Sequence, residues 1–577
     1  MDKAAPLRNH PVMSLATDPA PGWTRFAPIG RWAPRYRPAW LAPDVLAGLA
    51  LWAVMVPEGM AYAGIVGVPA IMGLYTLVPP LVAYALLGSS RLLVVGPDTA
   101  TGVISALTVG ALAAKGSADF IALTSTLAVL IGVFFLAFGA LRLGWVAAFI
   151  ATPVMRGFIE GLIGVTIVGQ VANLLGLHGI SGDFFAKLGA ILSRLHEIPP
   201  VSAAIGLCSL AAMLLVRRIS PRLPAALIVA VGATAAVRLL HLEAAGVDVV
   251  ERLPSGLPHL DLPRLDPHLL ASLAPGALSI VLVGYAEALG AAKAAASGAD
   301  DIDANQELTA HGAANILSGL FGGFLAVGSL SKTSVAVGAG ARSQLANLVA
   351  ALLCFLTLVF LTPLFHGLPH PALAAIVVAA MLHLSRPSYL RSLAARAPFE
   401  FGVAVVVILG ELALGVLEGI AIGVVISLLM LIYRTSHLTG AVEGKLPGEE
   451  AYRDVRLHPD AQTFPGLLIF NPGGSLFFAS VGEFEKELRT ALAQARPPIR
   501  QVLVDGGAIA FVDSSAGDVL LALIEDLKDQ GTSLAFARVR DPVRAYMARA
   551  GIVEAVGPQA FHDRVTAGVR AFLEREP

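Results

Sequence analysis

Between Asp44 and Tyr433 the chain returns repeatedly to runs of about twenty mostly apolar residues, the length a helix needs to cross the hydrocarbon of a bilayer. This recurrence constrains the fold more than any other feature. Inside lipid every backbone amide must be bonded within its own segment, so such runs read as spanning helices. Fourteen segments are expected, starting near residues 44, 70, 97, 120, 146, 201, 223, 272, 305, 331, 345, 369, 397 and 415. Charged residues make up only 14% of the chain and hydrophobic ones 56%, whereas a soluble domain carries roughly 25% charged residues. A large soluble core cannot explain the deficit, because its surface would still need charge. No cleavable leader is expected, since the first forty residues lack an apolar core followed by a small-residue cleavage site. The first span is then expected to direct insertion.

Charge placement tests the count, because cytoplasmic loops are rich in Lys and Arg. Even numbering gathers Arg25, Arg31, Arg35, Arg37, Arg91, Arg142, Arg217, Arg218 and Arg222 on one side. The same side receives Lys293, Arg342, Arg386, Arg391, Arg396 and Arg434. The other side receives few basic residues in short loops, among them Lys115, Lys187 and Arg194. Both termini are therefore expected in the cytoplasm, with the protein multi-pass in the cell membrane (the inner membrane in a Gram-negative bacterium). The long Pro-rich loop of about 241–267 falls on the outer side and divides the spans into two halves of seven. Seven is odd, so the halves have inverted topology.

From about Leu438 the composition changes. LLIF (467–470), SLFFAS (475–480), QVLVD (501–505) and SLAFARV (533–539) read as strands. Amphipathic stretches at 482–496, 515–530 and 541–550 read as helices. Alternation of the two implies a small α/β domain. The expected division is a cytoplasmic segment 1–43, a membrane domain 44–435 and a cytoplasmic domain 436–577.

Two spans are interrupted at their start. In RLLVVGPDTATGVISAL the β-prone run stops at Gly96-Pro97, and in FLAVGSLSKTSVAVGAG it stops at Gly328-Ser329. Each reads as a short extended stretch followed by a half-length helix. They are the third and tenth spans, corresponding members of the two halves. Half-helices that meet at mid-membrane point unpaired N–H groups and partial positive charge at one place, which suits an anion. Asp98, Thr99 and Ala100 on one side and Ser331, Lys332 and Thr333 on the other are the expected anion-binding residues. Thr99, Ser331 and Thr333 offer hydroxyl donors, and Lys332 offers a full charge. Asp98 is also placed to cap its helix.

Ionisable residues within spans are costly and usually functional. Glu58 in the first span and Glu287 in the eighth, again corresponding members, are expected to couple transport to a proton or cation. Arg156 and Glu160, four apart, read as a structural ion pair, and Glu411 and Glu418 as interfacial. The two cysteines, Cys208 and Cys354, form no metal or disulfide pattern. Neither a metal nor a cofactor is expected. The net charge of −1 argues against nucleic acid. No nucleotide loop, zinc spacing or nucleophile–base set points to an enzyme.

These motifs resemble the sulfate-permease (SulP) family of anion transporters over nearly the whole chain. The resemblance rests on DVLAGLALWAVMVPEGMAYAGIVGVPAIMGLYT, on LLGSSRLLVVGPDTAT, on LPSGLP (253–258) and above all on ANQELTAHGAANILSGLFGGFLAVGSLSKTSVAVGAGARSQLA (304–346). It implies an α-helical polytopic membrane protein with fourteen spans in a seven-plus-seven inverted repeat, with core and gate domains. It further implies a C-terminal STAS domain, commonly a homodimer, and an anion site between spans 3 and 10, lined also by 1 and 8. Cytoplasmic protein partners at the STAS domain are also open. Related stand-alone STAS proteins are phosphorylated on a serine in a loop that here reads Asp513-Ser514-Ser515-Ala516-Gly517. Ser514 and Ser515 are thus candidate modification sites, with a helix N-cap as the alternative. Many members carry Gln at the position of Glu58 and Arg at that of Lys332. A carboxylate can carry a proton where an amide cannot, so proton symport of a small anion, sulfate first, is the leading expectation. Bicarbonate or dicarboxylate transport with protons or sodium, and channel-like conductance, remain open. A nucleobase permease and a regulatory protein with vestigial transport are the readings from other classes.

Overall fold

The computed structural model describes residues 28–575, apart from 146–151, 181, 221–222, 251–255, 257, 259, 261, 297–301, 386 and 438. Arg25, Arg222, Arg386 and most of the 253–258 motif lie outside the described residues. The chain forms two compact units, one reaching Ser427 and one from Leu428 onward.

The first unit is helical. Span 1 is Leu41–Val66, span 2 combines Ala70–Tyr75 with Val78–Leu87, span 4 is Ala118–Ala140 and span 5 Thr152–Leu175. Spans 6 and 7 are Pro200–Ile219 and Ala225–Leu239, span 8 Pro267–Ala295 and span 9 Ala304–Leu320. Span 11 begins with Leu345–Leu356, and spans 12, 13 and 14 are His370–Leu384, Pro398–Leu414 and Val416–Ser436. Spans 3 and 10 are short helices, Thr99–Gly110 and Leu330–Gly338. Among the described residues, eight of the helical stretches are long and apolar enough to cross a membrane by length and composition. The others are short or only moderately apolar, which is why hydropathy alone undercounts them. Two surface helices, Phe184–Ser193 and Pro387–Arg396, interrupt loops that the sequence reading left plain.

Packing sorts the spans. Span 9 lies against spans 4 and 2, span 11 against 1 and 2, and span 8 against 3 and 4. Span 5 lies against 13 and 12, and span 6 against 12. Spans 1–4 and 8–11 thus form one group, and the remaining spans cluster around 5 and 12. Glycine makes the closest crossing possible. A Cβ on Gly312 of span 9 would lie 2.7 Å from Leu136 and 3.0 Å from the Gly132 carbonyl of span 4, so the two backbones pack directly.

The second unit carries a six-stranded sheet in the order β4-β3-β5-β6-β7-β8, with β3 Ala441–Lys445, β4 Tyr452–Asp454, β5 Leu467–Asn471, β6 Gln501–Asp505, β7 Ser533–Ala537 and β8 Phe561–His562. β5 to β8 run parallel, and β3 is antiparallel to both its neighbours. Parallel strands are covered on both faces and so read as unbroken apolar runs. Leu468, Phe470, Val502, Val504 and Phe536 face a core with Phe484, Leu520 and Ile524. Leu467, Ile469, Leu503 and Ala535 face Val565, Val569 and Phe572 of the last helix. SLFFAS is not a strand. The Ser480 hydroxyl donates to the Ser475 carbonyl at 2.8 Å and accepts from the Phe477 N–H at 3.1 Å, and such local bonds compete with a ladder.

Candidate anion site

The two interrupted segments meet. Val95–Gly96 (β1) pairs antiparallel with Val327–Gly328 (β2), with Val95 opposite Gly328. The Ser329 N–H donates to the Val94 carbonyl at 3.0 Å, which extends the bridge by one residue. Each strand leads directly into its half-helix, so Thr99 and Leu330 begin helices from a common point. Asp98 caps the first, its carboxylate accepting from the Thr101 N–H at 3.2 Å and the Thr101 hydroxyl at 3.3 Å. The first intrahelical bonds run from Gly102 to Asp98 and from Thr333 to Ser329. The leading N–H groups, those of Thr99 and Ala100 and of Leu330, Ser331 and Lys332, are therefore the ones that lack an intrahelical acceptor.

Lys332 crosses between the two ends. Its side chain is 1% exposed and its Nζ donates to the Pro97 carbonyl at 2.8 Å. The Glu58 Oε2 lies 3.8 Å from that Nζ, and the Tyr62 ring centroid 5.0 Å away. The Tyr62 hydroxyl reaches Glu58 Oε2 at 3.4 Å. Span 1 thereby supplies a carboxylate and an aromatic face, the second a favourable seat for a cation. Glu287, half-buried on span 8, lies within electrostatic reach of Asp98 and Lys332. Asp98, Thr99, Ala100, Lys332, Glu58 and Glu287 are thus brought into one neighbourhood.

Two expected hydroxyl donors are otherwise employed. Thr333 Oγ1 donates to the Ser329 carbonyl at 2.6 Å and accepts from the Val94 N–H at 3.0 Å, so it ties the half-helix to the opposite strand. Ser331 is exposed and sits 3.3 Å from the Ser329 hydroxyl. Away from the site, Arg156 lies over the Tyr389 ring and Glu160 accepts from Ser385 at 2.7 Å, so the expected Arg156–Glu160 pair is replaced by separate partners. Glu411 is buried within the protein. It is 1% exposed, neither carboxylate oxygen has a hydrogen-bond partner among the described residues, and Gly161 and Gly419 leave the room it fills. In the second unit Asp513 caps the Ser514–Asp529 helix, accepting from the Ala516 N–H at 2.8 Å. Ser514 and Ser515 are exposed, so capping does not account for them.

Span 9 supplies residues that the sequence reading did not single out. Glu307, His311 and Asn315, spaced by four, share one buried helix face. The His311 Nδ1 contacts the Glu307 carbonyl at 2.8 Å, which makes it the protonated nitrogen, and Nε2 accepts from the Gly328 N–H at 3.1 Å. Asn315 donates to the Ala326 carbonyl at 2.7 Å and accepts from its N–H at 2.9 Å. Glu307 accepts from the Tyr84 hydroxyl and from Ser89 and Ser90, at 2.8–3.3 Å. From span 11, Gln344 and Asn347 donate to the Leu93 carbonyl at 3.0 and 2.9 Å. A polar scaffold thus fixes both strands from behind. Its signal was the run of Glu, His and Asn at helical spacing inside an apolar segment.

Two half-helix termini with a buried lysine between them, an arrangement that suits an anion, sit in a helical membrane protein with an α/β domain appended. Residues 41–407 match the sulfate permease family and residues 458–567 the STAS domain, and the chain belongs to that family of anion transporters, which are not enzymes. A probable sulfate transporter of Mycobacterium tuberculosis is 32% identical over 94% of this chain and 98% of its own length. The chloroplastic sulfate transporter 4.1 of Arabidopsis thaliana is 30% identical over 95% of this chain and 82% of its own. Among solved structures, the inward-facing murine Slc26a9 anion transporter superposes with a TM-score of 0.87 at 23% identity, covering 98% of this chain and 97% of that one. The transmembrane domain of a cyanobacterial bicarbonate transporter superposes with a TM-score of 0.58 at 23% identity, covering 67% of this chain and 98% of that one.

Proposed function

We propose that the protein moves a small oxyanion, sulfate foremost, in symport with a proton by alternating access, with both termini in the cytoplasm. The observation that carries this reading is the contact of Lys332 with Glu58 at the meeting point of the half-helices. While Glu58 is ionised it neutralises Lys332, and a carboxylate also repels an incoming anion. A proton on Glu58 removes both effects and leaves the ammonium and the leading N–H groups to the anion. Neither passenger is favoured alone, which is the requirement for coupling. Glu287 sits where it can hold a second proton or a cation. The sulfate transporters among the relatives support sulfate. The two packing groups, spans 1–4 with 8–11 against the rest, supply bodies that can shift around a fixed site.

Uptake of labelled sulfate into proteoliposomes, with and without an inward proton gradient, tests the reading. Glu58→Gln is expected to abolish acceleration by the gradient, because the amide cannot take up the proton. An unchanged response to the gradient in that variant would remove Glu58 from the mechanism. Large conductive currents without proton flux would point to a channel instead.

A further inference from the structure

The chain enters span 1 through Tyr36-Arg37-Pro38-Ala39-Trp40. Pro38 starts a single helical turn, Pro38–Trp40, that runs straight into the span, because its missing N–H costs nothing at a first helical position. Upstream, the Trp32 indole N–H donates to the Ala85 carbonyl at 3.3 Å, which holds this entry against the end of span 2. Arg91 follows that end, so the two segments arrive at one place.

They meet on the Trp40 ring. The guanidinium carbons of Arg37 and of Arg91 each lie 5.8 Å from its centroid, and the Tyr36 ring meets it edge-on at 5.8 Å. Attraction to the indole gathers two cations that would otherwise repel each other. The carboxylate at this end of the span is committed elsewhere. Asp44 is fully buried and accepts from the Arg342 and Ser343 N–H groups at 2.6 and 3.1 Å and from the Ser343 hydroxyl at 2.7 Å.

Span 1 continues from this cluster with an apolar outer face. Leu41, Val45 and Leu49, four apart, are exposed, as is Leu46 beside them, whereas Ala47, Leu51 and Met55 face the core. At 1.5 Å per residue the stripe from Leu41 to Leu49 is about 12 Å long, close to the roughly 15 Å of hydrocarbon in one leaflet. Trp and Tyr rings sit at the level of lipid headgroups. Two guanidiniums at that level, next to a leaflet's depth of uncovered apolar helix, match a molecule with a phosphate at one end and acyl chains at the other.

We propose that Arg37, Trp40 and Arg91 bind the phosphate of an anionic phospholipid whose acyl chains lie along Leu41, Val45 and Leu49. Arg91 lies four residues before Val95 of β1, so the lipid also braces the segment that leads into the first half-helix.

The test is quenching of Trp40 fluorescence by phospholipids brominated on their acyl chains, with the full chain reconstituted in phosphatidylcholine vesicles. The Trp40 signal is the difference from Trp40→Phe. Brominated phosphatidylglycerol is expected to quench it at a severalfold lower mole fraction than brominated phosphatidylcholine. An arginine near an anionic surface is worth roughly fivefold in affinity, so Arg37→Gln combined with Arg91→Gln should make the two lipids equal. Lys at both positions should restore most of the preference. Brominated phosphatidylcholine should still quench the double Gln variant, because its apolar stripe is unaltered. Equal quenching by the two lipids in the unaltered chain would overturn the proposal, as would a preference that survives in the double Gln variant. So would quenching by neither lipid, which would put another protein chain on this face. Reversal by inorganic phosphate, but not by chloride of equal ionic strength, would make this a site for free phosphate and overturn the lipid.

Discussion

Lys332 concentrates the chemistry of the site on one ammonium group with three donors. One goes to the Pro97 carbonyl and one points toward Glu58, which leaves one for a ligand. Replacement by Met removes the ammonium donor from the anion, and a hydrogen bond to a charged group contributes about 1.5–3 kcal/mol. Each 1.4 kcal/mol is about tenfold in a binding constant. Lys332→Met is therefore expected to weaken sulfate binding by about ten- to a hundredfold in calorimetry of purified protein. Lys332→Arg keeps the charge but presents a planar fork, so binding should persist with a changed order of preference among sulfate, bicarbonate and dicarboxylate. Equal sulfate affinity in the Met variant would place the anion elsewhere. Charged residues such as Lys332 and Glu58 were legible in the sequence because charge inside an apolar run needs a reason. Tyr62 was not, because an aromatic residue in a span is ordinary until its ring is found under an ammonium group.

A second residue-scale consequence lies in the α/β domain. Glu443 on β3 accepts from Asn471 at 3.0 Å through one oxygen, while the other is buried without a hydrogen-bond partner among the described residues. Burial first, and the nearby Asp505 charge as well, raise its carboxyl above the usual value of 4.5, against the pull of Asn471 and Arg538. A carboxyl raised on folding binds its proton more tightly in the native state. Its cost to stability is therefore absent below about pH 4.5 and grows as pH rises toward the folded value. Glu443→Gln retains the acceptor for Asn471 and cannot ionise. It should raise the unfolding temperature at pH 7.5, with the gain shrinking as the pH falls toward 4.5. A gain independent of pH would assign the effect to packing.

At the scale of elements, the extended bridge between β1 and β2 is too short to hold itself. Its geometry is imposed by spans 9 and 11, through His311, Asn315, Gln344 and Asn347. Replacing Asn315 by Leu orphans both the N–H and the carbonyl of Ala326, and each buried unsatisfied group costs about 1–3 kcal/mol. Asn315→Leu should lower thermal stability and weaken sulfate binding together. Asn315→Asp, which keeps the acceptor for the Ala326 N–H, should be intermediate in thermal unfolding with and without sulfate. Equal behaviour of the two variants would show that side-chain volume alone matters. The half-helices themselves were legible, because Gly-Pro and Gly-Ser stop an apolar run visibly. The support from span 11 was not, since the bonds of Gln344 and Asn347 to Leu93 join residues 251 and 254 positions apart and leave no local pattern, whereas that from span 9 shows only as Glu, His and Asn at helical spacing. For the same reason β3, β4 and β8 escaped notice: they are short, and their partners rather than their composition make them strands.

At the scale of the whole molecule, the even count of spans followed from charge asymmetry, whereas the sorting of spans into two groups needed the packing itself. Alternation of access requires that those groups move against each other, and a cavity of about 740 Å³ lies where they face each other. Gln170 of span 5 lines it opposite Met60 and Ala61 of span 1. A single cysteine at Gln170, in a background where the exposed Cys208 is Ser and the buried Cys354 is Ala, reports the width of that gap through its rate of reaction with a membrane-impermeant maleimide. If the cavity opens and closes with each cycle, sulfate together with a proton gradient should change this rate severalfold. Sulfate added to Lys332→Met should not change it, because the anion then has no charge to bind. A fixed conduit keeps the gap constant while anions pass, so an unchanged rate during measurable uptake would exclude movement of these groups and leave a channel-like path.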